Sequence, residues 1–177
     1  LEKTVETQLA IYQDILRRHS RTHGKRDGVP ICGSYGRENA GDDAILRAII
    51  REMREIDPYM PITVLSRRPM RTKLTYRVDA IHTFSILRWN RRMCHTKLYI
   101  SGGGSLIQDV TSRRSLWYYL YNIRQAKRHH NKVLMYGCGI GPVIRERHRK
   151  LAAQTLNRYV DAITLREPDS LAELRSM

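Results

Sequence analysis

Acidic residues are scarce. Asp and Glu total 17 against 32 Lys and Arg, which leaves a formal net charge of +15 and a pI near 10.2. Such a field favours polyanions, anionic membrane surfaces or phosphorylated substrates, and does not choose among them. Cysteine is also rare: Cys32, Cys94 and Cys138 are odd in number, widely spaced and never arranged as CxxC. That pattern fits reduced thiols rather than a disulfide framework or a metal site, so no metal is expected. No apolar run approaches the roughly 20 residues of a membrane span. The longest, residues 44–50, contains Arg47. Signal-peptide pattern, internal repeats and low-complexity tracts are all missing. A soluble cytoplasmic domain is the expectation. Because the chain does not open on Met, a processed or excised piece is expected too.

What is there is an ordinary globular mix, 41% hydrophobic and 28% charged over 177 residues, enough for one good-sized domain. Residues 5–18 carry Leu9, Ile11, Tyr12, Ile15 and Leu16 at near-helical spacing. A polar, basic stretch with two glycines follows, so residues 1–28 read as a helix and linker, with the end of a preceding domain as one origin. From residue 29 the pattern is regular. Strands are predicted at 29–34, 62–65, 80–84, 97–101, 132–136 and 162–165. Helices are predicted at 42–56, 112–130, 145–159 and from Asp169 onward, and Pro58 and Pro61 stop the first. Strands alternating with amphipathic helices imply a Rossmann-like α/β fold over 29–177, with a parallel sheet covered by helices on both faces. In such a fold every strand-to-helix turn lies at the carboxyl edge, where ligands bind.

Three of those turns are rich in glycine. The first runs from Gly33 to Asp43 and includes Asn39 and Gly41. Asn39 tolerates unusual backbone angles. Asp42 and Asp43 fall at the helix start, where free N–H groups favour negative charge. One cap needs one Asp, so the second is either solvated or aimed at a ligand. The next turn, Gly102-Gly103-Gly104-Ser105, removes three side chains in succession and so presents backbone N–H groups suited to a phosphate or carboxylate. Ser105 and Gln108 offer further polar contacts. Asp109 has two readings, a helix start or a ligand contact. The third, Gly137-Cys138-Gly139-Ile140-Gly141-Pro142, matches a dinucleotide fingerprint poorly. Its spacing is GxGxG, Pro142 stands where the helix should open, and Asp161 precedes a strand instead of ending one. Arg166 ends the last strand at the same edge. It either grips an anion bidentately or pairs with Glu167 or Asp169.

Elsewhere structural roles are simpler. Trp117, Tyr118, Tyr119 and Tyr121 read as a helix face packed on the sheet. His129, His130 and His148 lack metal-ligand spacing. The basic run of Arg67, Arg68, Arg71, Lys73, Arg77, Arg88, Arg91 and Arg92 reads as a solvated surface that also suits acidic lipid or another polyanion.

Taken together, residues 36–46, 99–109, 136–142 and 163–170 resemble the polysaccharide pyruvyl transferase family, most closely its CsaB-like branch, over about 29–177. The resemblance implies the N-terminal half of a GT-B-like two-domain fold, with the C-terminal domain and its key His absent here. It implies transfer of the enolpyruvyl group of phosphoenolpyruvate to two sugar hydroxyls of a bacterial cell-wall polymer or exopolysaccharide. A cyclic ketal forms and phosphate leaves, with no cofactor beyond the donor and no general need for metal. Asp42 and Arg166 match the family's active-site positions. Asn39, Gly41, the Gly102–Ser105 turn, Gln108, Asp109, Gly139 and Gly141 are candidates for substrate binding. The implied partners are phosphoenolpyruvate, a lipid-linked or polymeric saccharide, and an anionic membrane touched from its inner face. Two rivals remain at this point: a glycosyltransferase of the same fold using a nucleotide sugar, and a basic nucleic-acid-binding module. No nucleic-acid motif supports the latter.

Overall fold

The computed structural model describes residues 26–177, so the helix predicted at 5–18 and most of the linker lie outside the described residues. Seven strands and six helices follow in order: β1 (Val29–Cys32), α1 (Ala40–Ile56), β2 (Ile62–Ser66), α2 (Pro69–Tyr76), β3 (Asp79–His82), α3 (Ile86–Met93), β4 (Leu98–Gly102), β5 (Ser105–Ile107), α4 (Arg113–Arg128), β6 (Lys132–Ile140), α5 (Glu146–Tyr159), β7 (Ala162–Leu165) and α6 (Pro168–Arg175). The sheet order is β3-β2-β1-β4-β6, and β5 and β7 both pair with β6. Every pairing is parallel. This is the Rossmann-like α/β architecture expected from the alternating pattern.

Alternation along the strands divides the core in two. Val29, Ile31, Ile62, Val64, Leu98, Ile100 and Leu134 face one layer, where Leu46, Ile49, Ile50 and Met53 of α1 cover them. Cys32, Leu65, Tyr99, Val133 and Met135 face the other, under Trp89 and Met93 of α3, Leu116, Leu120 and Ile123 of α4, and Ala152 and Leu156 of α5. Period-two strands thus bury both faces, and that requires helices on both sides. Because β1 leads to β2 on one side while β4 lies on the other, the chain reverses direction across the sheet between β1 and β4. Ligands of such sheets bind outside the carboxyl ends of the two strands at a reversal of this kind.

Four features depart from the sequence expectations. The stretch at 67–79, expected to be irregular, contains α2. Its Met70 and Leu74 are exposed and only Thr72 is buried, so it carries no apolar stripe to read. The arginine-rich run at 88–92 lies in α3, held by the i, i+4 pair Trp89 and Met93. The segment Gly137-Cys138-Gly139 is not a turn but the continuation of β6, which pairs with a short extra strand, β5. Of the aromatic cluster on α4, Tyr119 is buried and Tyr118 half-buried, whereas Trp117 and Tyr121 point outward.

Candidate active site

The loop after β1 is built around a buried tyrosine. Tyr35 is 2% exposed, and its hydroxyl donates to the carbonyl of Gly102 at the end of β4 (2.7 Å). Gly33 makes room for the ring, since a Cβ there would come 2.5 Å from it. Tyr35 therefore fastens the first glycine turn to the second. Sequence reasoning missed it, although a tyrosine between Gly33 and Gly36 was the available signal. The left-handed backbone expected at Asn39 falls instead on Glu38 (φ 62°), whose carboxylate pairs with Arg68 and Arg71.

Asn39 is the N-cap of α1. Its side-chain oxygen accepts from the N–H groups of Gly41 (3.0 Å) and Asp42 (3.5 Å). With the cap supplied by Asn39, neither Asp42 nor Asp43 is needed for it. Asp43 faces Tyr76. Asp42 turns inward: it is 7% exposed, and no hydrogen bond from a described residue reaches its carboxylate. Burial, with Asp43 beside it, pushes its carboxyl upward, while Arg166 and Arg37 pull it back down.

The triple glycine explains where that carboxylate fits. Gly102 ends β4, and Gly103 and Gly104 adopt φ of 82° and 69°, angles that side chains resist. A Cβ at Gly104 would lie 2.9 Å from Oδ1 of Asp42. The amide of Gly103 donates to the Tyr136 carbonyl (3.3 Å), and the carbonyl of Gly104 accepts from Gly139 (3.0 Å). The Gly103 amide is thus engaged by β6 instead of facing outward. The bend at Gly104 is a niche, stitched to β6, that receives Asp42.

Beyond the niche, Ser105 opens β5 and is exposed. Gly139 and Gly141 lie on or after β6, where a Cβ would come 2.6 Å from Ser105 Oγ and 3.0 Å from Gln108 Cβ respectively. Gln108 folds onto Thr111, donating to its Oγ1 (2.9 Å) and accepting from its N–H (3.1 Å). Asp109 is engaged at both oxygens. It accepts from the amides of Ile144 (2.8 Å) and Arg145 (3.3 Å) and meets His148 Nδ1 at 2.7 Å. Burial alone would raise its carboxyl, but these hydrogen bonds hold it below the ordinary range. It holds the segment that leads into α5 and does not cap the helix that follows it in sequence; α4 is capped by Ser112.

Arg166 follows β7 at the same edge, its amide donating to the Cys138 carbonyl (3.3 Å). Its guanidinium is half exposed and pairs with Glu167 (3.1 Å) while still acting on Asp42. The edge therefore brings together Asp42, the glycine niche, Arg37 and Arg166. Gln108 and Asp109 are tied into the neighbouring loops. Among the described residues no group of three or more His, Cys, Asp or Glu gathers where a metal ion could sit, and no helix is long and apolar enough to cross a membrane.

A family model described as polysaccharide pyruvyl transferase matches residues 39–176, from the cap of α1 to the end of α6. No curated protein and no solved structure matches the chain.

Proposed function

As a member of the polysaccharide pyruvyl transferase family, to which this chain belongs, it is a transferase acting on a saccharide, and we propose that its donor is phosphoenolpyruvate and its acceptor a sugar of a bacterial cell-wall polymer or exopolysaccharide. The observation that carries this reading is the setting of Asp42, a carboxyl pushed upward by burial and drawn back by the charges of Arg166 and Arg37 at the carboxyl edge of the sheet.

Two C–O bonds form to the enol carbon of the donor in this reaction, and the bond from that carbon to the phosphate oxygen breaks. Of the two hydroxyl protons released, one ends on the donor's methylene carbon, making it a methyl, and the other leaves with phosphate. A carboxyl poised between protonation states suits such transfers. In this reading Asp42 accepts the proton of the attacking hydroxyl and orients it. Arg166 holds the donor carboxylate or phosphate, exchanging its contact with Glu167 for a charge-assisted pair with the ligand. The Rossmann-like sheet supplies one wall of the cleft, as the N-terminal half of a GT-B-like pair, and a C-terminal domain supplies the other. No cofactor takes part. Exposed Phe84, Ile86 and Leu87 beside Arg67, Arg88 and Arg91 favour a resting place against the anionic inner face of the membrane, where a lipid-linked acceptor is found.

Phosphate release from phosphoenolpyruvate by the full-length protein, given lipid-linked saccharide acceptors, tests the proposal. Release that depends on acceptor and falls in Asp42→Asn supports it. Turnover of a nucleotide sugar in its place, or wild-type turnover by Asp42→Asn, overturns it.

A further inference from the structure

The two faces of the sheet are covered unequally. From β1 the chain runs through α1, β2 and α2 to β3 in one direction across the sheet, and from β4 through α4, β6 and α5 to β7 in the other. Right-handed crossovers place α1 and α2 on one face and α4 and α5 on the other. The packing agrees: α1 and Tyr76 of α2 join one core layer, while α4, α5 and Leu174 of α6 join the opposite one. No crossover within this sheet can cover β6 and β7 on the α1 face. Ile163 and Leu165 of β7 belong to the layer under α5, so Ala162 and Thr164 alternate onto the α1 face, and both are half-buried. The flank of α1 turned toward β6 carries Ile45, Ala48, Glu52 and Ile56 at helical spacing. The other flank is taken by the end of α2, where Arg54 donates to the carbonyls of Tyr76 (3.2 Å) and Arg77 (2.7 Å). Glu52 is 2% exposed. The Tyr136 hydroxyl of β6 donates to its Oε1 (2.9 Å), and its Oε2 is buried with no hydrogen-bond partner among the described residues.

We propose that residues 5–18, which lie outside the described residues, supply that cover, packing as an amphipathic helix across β6 and β7 beside α1. Val5, Leu9, Tyr12 and Leu16 make an apolar stripe at helical spacing, like the flank of α1 it would meet. A parallel sheet is buried on both faces, and no other described helix covers this half of the α1 face. The chain can reach it. Residues 26–28 lie at the amino edge beside β4, where the Asp27 amide donates to the His95 carbonyl (3.0 Å) and the Gly28 carbonyl accepts from Lys97 (3.4 Å). The next two strands, β6 and β7, lie within about 10 Å, and residues 19–25 span up to about 23 Å. The Glu52 oxygen sets a second requirement. A buried polar atom without a partner is costly, and Gln8, Tyr12 and Gln13, on or beside the stripe, carry donors for it. Residues 5–18 then belong to this domain and are not the end of a preceding one. The inference is independent of the pyruvyl-transfer reading.

Hydrogen–deuterium exchange of the full chain, read by mass spectrometry, tests it. Amides of residues 5–18 should exchange about a hundredfold or more slower than those of an unstructured peptide of the same sequence. Leu9→Asp combined with Leu16→Asp should abolish that protection and speed exchange in β7, leaving β1 and β2 unchanged. Asp14→Asn, on the opposite side of the same helix, should change neither. Ala48→Trp, a bulky group on the half-buried flank of α1, should release residues 5–18 without altering their sequence. Exchange of residues 5–18 at the unstructured rate in the wild type overturns the proposal. So does protection that survives Ala48→Trp, which puts the segment elsewhere, or protection that grows with protein concentration, which makes the cover a second copy. Unchanged exchange in β7 once the stripe is broken overturns it as well, because another occupant then holds the face.

Discussion

The carboxylate of Asp42 occupies the space that a side chain at Gly104 would need: a Cβ there would approach Oδ1 to 2.9 Å. One residue from α1 and one from the bend after β4 are thus complementary in shape, and the glycine is required twice, for its φ of 69° and for that room. Gly104→Ala should cost roughly 1–2 kcal/mol from backbone strain and lower Tm by a few degrees. Thermal unfolding checks the stability, and phosphate release checks whether Asp42 is displaced with it.

Asp42→Asn should separate activity from stability. As general acid–base, the carboxyl should account for a roughly 10²–10⁴-fold rate effect. Its folded pKa is raised, so its contribution to folding is complete below the ordinary carboxyl range and is lost as pH rises through the folded value. Denaturant titrations should therefore find Asp42→Asn more stable than wild type near neutral pH, with the difference vanishing in acid.

Asp109 has the opposite sign. Hydrogen bonds from Ile144, His148 and Arg145 lower its carboxyl despite burial. The stabilisation is present above the unfolded pKa and is lost as pH falls through the folded one. Asp109→Ala strands two amides and His148 at the start of α5 and should cost on the order of 3 kcal/mol. Asp109→Asn, which keeps an acceptor, should cost less. Urea unfolding of both variants reads the difference.

Thiol labelling reports the core directly. Cys32 and Cys138 are buried, and burial pushes both thiols up to about 12, whereas Cys94 is exposed. Mass spectrometry after brief alkylation should find one adduct on the native protein, at Cys94, and three after denaturation.

The strands other than β5, with α1, α4 and α5, were legible because their apolar residues repeat at the period of the element that buries them. Helices α2 and α3 were not, for a physical reason: α2 exposes Met70 and Leu74, and α3 is anchored only by Trp89 and Met93 within a run of arginines. Gly137 and Gly139 hid the far end of β6, since glycine in a sequence reads as a bend, while here Gly139 admits Ser105 of β5. At the site, parallel topology was enough to place Asp42, the glycine turn and Arg166 on one edge. The niche itself depends on a contact between residues 62 positions apart, Asp42 and Gly104, and no local pattern encodes that.

Strand β6 passes beneath the whole bend: Gly102 sits opposite Tyr136 and Ser105 opposite Gly139, and the register shifts only beyond it, between Ser105 and Ile107. It acts as a splint across the two left-handed glycines. The kink cannot straighten unless the ladder on either side unzips, and a slip by one residue would turn every neighbouring side chain to the wrong face. The floor beside Asp42 is accordingly tied to the sheet on both sides of the bend, through Gly103 to Tyr136 and through Gly104 to Gly139.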